Sequence, residues 1–90
     1  MYKRIDHLGV AVSNLEAAMS AFRLLGLDCR HTEELRERGV RVAMFPVGES
    51  RLELVQSLSP DGTIAKFIEK RGEGIQHIAF AVDDIDAALA

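Results

Sequence analysis

The stretch HLGVAVSNLEAAMS, residues 7–20, returns in altered form as HIAFAVDDIDAALA, residues 77–90. The offset is 77 − 7 = 70, and five of the thirteen positions from residue 7 to residue 19 are identical in the two copies. Most of the other eight are near-substitutions, such as Leu15 with Ile85. Each copy begins as an alternating strand and continues with apolar residues at helical spacing. We interpret the pair as an internal duplication, with one full unit and the beginning of a second.

Side chains alternate between the two faces of a strand, so each copy has a bulky face and a small face. The small faces carry His7, Gly9 and Ala11 in the first copy and His77, Ala79 and Ala81 in the second. We expect the small residues to leave room for something that is not protein. A lone histidine on a strand is usually structural or exposed, but two histidines at equivalent positions of a duplicated strand favour a pair of ligands.

Glu53 is a third candidate ligand, because it alternates with Leu52 and Leu54 in RLELVQS, residues 51–57. The ordinary interpretation of such a residue is a carboxylate facing solvent. If its face is the histidine face, His7, Glu53 and His77 form a nitrogen and oxygen donor set. That set suits a divalent transition metal, with zinc, cobalt, nickel and manganese all open. Ligands 46 and 24 residues apart match no short metal-binding signature.

The rest of the pattern predicts an α+β fold. We expect strands at about 5–12, 40–47, 51–57 and 75–82, a weak edge strand at 28–33, and a hairpin turn at Gly48. Helices are expected from a Ser13–Glu16 capping box to Gly26, from about residue 63 to Gly72, and after a cap at Asp83 or Asp84. The residues expected in the core are Leu8, Val10, Met19, Phe22, Phe67, Ile78, Phe80 and Leu89.

Composition narrows the class of protein. Ninety residues allow one domain, and 48% hydrophobic with 28% charged residues is typical of a globular chain. The net charge of −3 argues against a nucleic-acid partner. No apolar run approaches the roughly 18 residues that span a bilayer, so no membrane partner is expected. The lone Cys29 fits a reducing compartment, and a cytoplasmic location is expected.

The segments HLGVAVSNLEAAMSAF, VRVAMFPVGESRLELV and GTIAKFIEKRGEGIQHIAFAVDDIDAAL resemble the glyoxalase and extradiol dioxygenase (vicinal oxygen chelate) superfamily, and within it the methylmalonyl-CoA epimerases. The resemblance implies paired βαβββ modules around one divalent metal, with ligands at His7, Glu53 and His77. Gln76 departs from the family, which usually has a histidine there. The implied organisation is one glyoxalase-like domain over 1–90, with a first module at about 1–58, a linking helix at about 63–72 and a second module starting at about 75–90.

The activity that the resemblance implies is epimerisation at C2 of 2-methylmalonyl-CoA, with an acyl-CoA substrate. A homodimer is expected, because an incomplete second module exposes a sheet edge and an apolar face. Two alternatives stay open: a lyase of the glyoxalase I type, and a metal-free binding module or inactive fragment. The family's last glutamate, a ligand and catalytic base, corresponds to position 53 + 70 = 123, beyond Ala90. The catalytic residue is therefore unassigned. We expect the chain to be cut inside its second module and the 90 residues alone to be inactive.

Overall fold

Within residues 2–82, which the structure (a computed structural model) describes, five strands and two helices follow one another in the predicted order. The strands are β1 (Tyr2–Ala11), β2 (His31–Leu35), β3 (Val40–Val47), β4 (Ser50–Ser57) and β5 (Gly74–Val82). The helices are α1 (Leu15–Leu24) and α2 (Thr63–Arg71), and a 3-10 turn at Arg36–Arg38 joins β2 to β3. The predicted α+β class is confirmed, as a βαβββ unit followed by α2 and β5.

The strands form one sheet in the order β2-β3-β4-β1-β5. β1 runs parallel to β4 and antiparallel to β5, and the β2–β3 and β3–β4 pairs are antiparallel. The β3–β4 hairpin turns at Gly48 as predicted, with a φ of 58° that glycine adopts without a steric cost. The two repeated strands, β1 and β5, are therefore neighbours.

The pairing of β1 with β5 has the symmetry expected of a duplicated strand. The central pair joins Leu8 with Ile78, which are equivalent positions because 8 + 70 = 78. The flanking pairs are His7 with Ala79 and Gly9 with His77. Exchanging residues by the offset of 70 converts one flanking pair into the other. A local two-fold axis therefore relates the two strands through the central pair.

Alternation along the strands sends apolar side chains to two clusters, one on each face of the sheet. One cluster includes residues of α1, and the other includes Ile64 of α2. The buried members are Val12, Leu15, Met19, Ala43, Phe45 and Leu54 on the α1 side, and Ala11, Val40, Val55 and Ile64 on the α2 side. Neighbours in sequence thus go to opposite faces, which confirms the strand periodicity.

The predicted core is confirmed for β1 and the helices and is wrong for β5. Met19 is buried, and the other predicted positions in β1, α1 and α2 are partly buried: Leu8, Val10, Phe22 and Phe67. Ile78 and Phe80 are 50% and 53% exposed. The physical reason is the position of α1, which packs over β3 and β4 rather than over β5.

The start of α1 differs from the predicted capping box. Asn14 is the N-cap, and its side chain accepts from the backbone N–H three residues on, at 3.1 Å. Glu16 pairs with Arg41 at 3.0 Å instead of reaching back to the helix start. Ser13 donates its N–H and its hydroxyl to Glu73 Oε2, at 2.7 and 2.9 Å. These bonds, the backbone one above all, hold the pKa of the Glu73 carboxyl below its usual value.

The predicted second cap at Asp83 or Asp84 and the predicted burial of Leu89 fall outside the described residues. Neither α1 nor α2, the helices found within residues 2–82, is long and apolar enough to cross a membrane.

Candidate metal centre

The imidazoles of His7 and His77 meet across the β1–β5 pair. Their Nε2 atoms are 3.1 Å apart, and the ring planes are nearly perpendicular, at 86°. The His7 side chain is partly buried, and His77 is exposed. The structure therefore brings together the two histidines that occupy equivalent positions in the repeat.

The second ring nitrogen of each histidine is held by the side chain of the preceding residue. His7 Nδ1 lies 2.9 Å from Asp6 Oδ2, and His77 Nδ1 lies 2.6 Å from Gln76 Oε1. A carboxylate oxygen and an amide carbonyl oxygen only accept hydrogen bonds, so both Nδ1 atoms donate. A ring that carries a single proton then has its lone pair on Nε2.

Two such rings would place two Nε2 lone pairs 3.1 Å apart, an arrangement that is repulsive unless the pair shares a cation, either a proton or a metal ion. Imidazole is a common ligand of divalent transition metals. Two nitrogens bound to one metal at about 2.0–2.1 Å lie roughly 2.9–3.4 Å apart when the angle between the bonds is about 90–109°. The observed spacing and the donor chemistry both fit a shared metal ion.

Asp6 is anchored as an ionised carboxylate by Arg51. Arg51 Nη2 donates to Asp6 Oδ2 at 2.6 Å. The hydrogen bond from His7, with the positive charge of Arg51 close by, lowers the pKa of Asp6. Arg51 Nη2 also lies 3.5 Å from His7 Nδ1. Since both of these groups donate, that approach is a contact across the shared Asp6 oxygen rather than a hydrogen bond.

Glu53 lies on β4, where its backbone partner in β1 is Gly9. Its side chain is 25% exposed, and Oε2 lies 3.7 Å from Arg51 Nη2 in an ion pair. Within residues 2–82 the structure assembles no group of three or more His, Cys, Asp or Glu side chains that could hold a metal ion. Of the three predicted ligands, the structure thus brings the two histidines together, while Glu53 is paired with Arg51. Its role as a ligand stays a prediction.

The three predicted ligands nevertheless line one pocket of about 600 Å³ on the α2 side of the sheet. Val40, Val42 and Met44 of β3 form its apolar floor. His31 and Glu33 of β2 stand on the wall opposite the histidine pair, with His31 Nε2 and Glu33 Oε1 3.0 Å apart. The other lining residues are Leu35, Arg38, Arg51, Val55, Thr63 and Ile64.

The small residues beside the histidines make room for the protein itself. A Cβ placed on Gly9 would overlap the His77 imidazole, so the missing side chain is the space that this ring occupies. Ala11 is fully buried and packs in the same cluster as Ile64 of α2. The prediction that this face leaves room for a non-protein group is therefore wrong at these two positions. The pocket opens over β3 instead.

Replacing Gly9 with alanine is expected to displace the His77 ring and to weaken metal binding by about 10- to 100-fold, the range typical of losing the support of a ligand. The φ of Gly9 is not positive, so alanine introduces no backbone strain of its own. Competition titration with Zn²⁺ and Co²⁺ measures the effect. In a His77→Ala background the same change should cost nothing more, and additive losses in the double variant would contradict this explanation.

Sequence reasoning missed Asp6, Gln76 and Arg51 as partners of the histidines. Strict alternation places Asp6 and Gln76 on the faces opposite to their neighbouring histidines. In the structure, β1 carries an extra residue at Asp6 and β5 carries one at Gln76, because the register shifts there by one. The repeat carries a signal for these partners, because 6 + 70 = 76 places Asp6 and Gln76 at equivalent positions, each directly before a histidine.

Comparison with known protein families gives a match over nearly the whole chain. A sequence profile of the "Glyoxalase/Bleomycin resistance protein/Dioxygenase superfamily" matches residues 6–90. An uncharacterised protein of Bacillus subtilis, YqjC, is 42% identical over 87 residues, which cover 96% of this chain and 62% of the relative. Mouse mitochondrial methylmalonyl-CoA epimerase is 36% identical over 88 residues, covering 96% of this chain and 49% of the relative.

A solved structure is also similar to the chain. A variant of Streptomyces coelicolor methylmalonyl-CoA epimerase, in complex with 2-nitronate-propionyl-CoA, superposes with a TM-score of 0.88 at 38% identity. The match covers 99% of this chain and 67% of the Streptomyces chain. The chain thus spans about half to two thirds of the length of these relatives.

Proposed function

Because the chain belongs to the glyoxalase/bleomycin resistance protein/dioxygenase superfamily, we propose that it contributes to a metal-dependent epimerase acting at C2 of 2-methylmalonyl-CoA. The epimerase relatives support the reaction and the acyl-CoA substrate. The observation that supports the metal dependence is the 3.1 Å approach of the His7 and His77 Nε2 atoms, with both Nδ1 atoms already held by other side chains.

His7, His77 and Glu53 would hold the divalent ion, which can be cobalt, zinc, nickel or manganese. When bound, the ion supplies Lewis-acid stabilisation of the negative charge that develops on the thioester oxygen. Binding requires Glu53 to exchange its ion pair with Arg51 for the metal. Arg51 keeps the Asp6 carboxylate as a partner at 2.6 Å, so this exchange leaves no charge unpaired.

The remaining lining of the pocket suits an acyl-CoA. The apolar floor of β3 can pack against the methyl group and exclude water from the reacting carbon. Arg38, at the far side of the same pocket, carries a guanidinium that can pair with a carboxylate or phosphate. Outside the proposed ligands, the carboxylate and imidazole among the described lining residues are Glu33 and His31. They offer one acid–base pair on one wall of the pocket.

We propose the organisation of the chain on the same basis. Residues 1–58 form the first module, 63–72 the linking helix, and 75–90 the start of a second module. The symmetric register of β1 and β5 supports this division. A homodimer is supported by the position of β5 at an edge of the described sheet, with Ile75, Ile78 and Phe80 exposed on it. The free thiol of Cys29 supports a cytoplasmic location.

Metal and ligand binding together test the proposed function. We expect one equivalent of Co²⁺ to bind, and we expect 2-methylmalonyl-CoA, but not a glutathione hemithioacetal, to perturb the cobalt absorption bands. The opposite preference would favour a lyase of the glyoxalase I type. Binding of neither metal nor acyl-CoA would contradict the proposal and favour a metal-free module.

A further inference from the structure

We propose that Asp6 and Gln76 are twin positioning residues, carried by two symmetric β-bulges, that orient the His7 and His77 rings for ligation. The inference rests on the proposed metal function and extends it to residues that do not touch the metal. Each copy of the repeat carries one bulge residue that bonds the histidine directly after it.

The bulges are the structural device. In β1, Ile5 pairs with Phe80 and His7 pairs with Ala79, so Asp6 is one residue too many on its strand. An extra residue bends the strand and redirects its side chain. The Asp6 carboxylate therefore reaches His7 Nδ1 at 2.9 Å, which regular alternation would forbid for adjacent residues.

The same device appears in β5. Gly9 pairs with His77 and Val10 pairs with Ile75, which leaves Gln76 as the extra residue. Its carbonyl oxygen reaches His77 Nδ1 at 2.6 Å. The two bulges exchange under the offset of 70, as the two histidines do, so the ligand and its support are duplicated together.

Asp6 and Gln76 both accept a hydrogen bond from the histidine they support, but the two bonds differ in strength. Both accept from Nδ1–H, which fixes the tautomer that leaves Nε2 free for a metal and fixes the ring plane. The Asp6 carboxylate pairs with the Arg51 guanidinium at 2.6 Å, and a hydrogen bond to an ionised acceptor is roughly twice as strong as one to a neutral acceptor. His7 is therefore the more firmly oriented and more electron-rich ligand of the pair.

Two substitutions of opposite sign test the inference. Asp6→Asn is expected to weaken Zn²⁺ and Co²⁺ binding by about 10- to 100-fold, because an amide accepts more weakly and can turn its NH₂ toward Nδ1. Gln76→Glu is expected to tighten binding, because it gives His77 the support that His7 already has. Imidazole ¹⁵N shifts of the metal-free protein should show less Nδ1–H tautomer at His7 in Asp6→Asn and more at His77 in Gln76→Glu.

Matched controls separate this local effect from general electrostatics. Glu16→Gln removes a carboxylate that also pairs with an arginine, but on α1, and it should leave metal binding unchanged. Ala21→Glu adds a carboxylate on the exposed surface of α1 and should not tighten binding. Thermal unfolding of every variant confirms that the fold is retained.

The outcomes distinguish the inference from the function on which it rests. Failure of the wild-type chain to bind metal would overturn the proposed function, while the ¹⁵N tautomers would still test the positioning. Unchanged tautomers and unchanged affinities in Asp6→Asn and Gln76→Glu, with a wild type that binds metal, would overturn the positioning alone. Equal tightening of metal binding by Gln76→Glu and Ala21→Glu would show that the Gln76→Glu effect comes only from the added negative charge. That result would also contradict the inference.

Discussion

Replacing His77 with alanine is expected to weaken Zn²⁺ and Co²⁺ binding by more than about 100-fold, beyond the range that losing a supporting residue costs. The change removes one of the two Nε2 atoms that lie 3.1 Å apart. Among the described residues that line the pocket, no other histidine lies on β5. His77 is exposed, so the free energy of unfolding should change by only about 0.5 kcal/mol or less. Competition titration and chemical denaturation measure the two quantities separately.

His31→Ala is the matched control for this experiment. His31 lines the same pocket from β2, where it pairs with Glu33 at 3.0 Å, and it is not one of the facing histidines. We expect its replacement to leave the metal affinity within about twofold of wild type, because a side chain that makes no bond to the metal and supports no ligand has little influence on affinity. Equal losses in His31→Ala and His77→Ala would show that the metal, if bound, lies elsewhere in the pocket.

The parts of the site that follow from alternation could be predicted from the sequence. Leu54 and Val55, adjacent on β4, go to the clusters under α1 and α2 as the period of two requires. The same rule puts Glu53 on the face opposite Leu52 and Leu54, and the structure shows that this face is the histidine side, where Glu53 lines the pocket with His7 and His77. The repeat predicts that the two histidines act as a pair, because they occupy equivalent positions of its two copies.

The supports of the histidines could not be predicted from alternation, because a β-bulge reverses it. Asp6 carries no local signal of a bulge, such as a glycine, and a neighbouring strand is needed to define the extra residue. The sequence predicts an edge strand at 28–33, whereas β2 lies at His31–Leu35. Its sequence HTEEL is polar and exposed over four of five positions. A strand with no buried face offers no hydrophobic period by which to place it.

The ion pair between Glu53 and Arg51 was also beyond sequence reasoning. The two residues are two apart on one strand, so they share a face, but the same spacing would equally leave Glu53 free. What decides the outcome is that Arg51 also bonds to Asp6 at 2.6 Å, which brings its guanidinium to the edge of the histidine pair. That contact depends on the bulge that turns Asp6 toward His7.

We compare the 90-residue chain with a version extended by further strands that carry a glutamate near position 123, both loaded with Co²⁺. The 90-residue chain is expected to epimerise 2-methylmalonyl-CoA more slowly, by about 10²- to 10⁴-fold or more. Epimerisation needs a proton removed on one face of C2 and returned on the other. Among the described residues of the pocket, one wall offers His31 and Glu33 as an acid–base pair outside the proposed ligands. The family resemblance implies a final glutamate near position 123, and the extended version supplies it.

Exchange of the C2 proton with D₂O measures removal of the proton separately from inversion at C2. A single acid–base wall can remove a proton and return it to the same face, which exchanges deuterium without inverting the centre. We therefore expect any exchange by the short chain to exceed its epimerisation, and we expect Glu33→Gln to reduce that exchange while leaving Zn²⁺ affinity unchanged. Epimerisation by the purified short chain at the rate of the extended one would show that its 90 residues, alone or as an assembled pair, already present bases on both faces of the substrate.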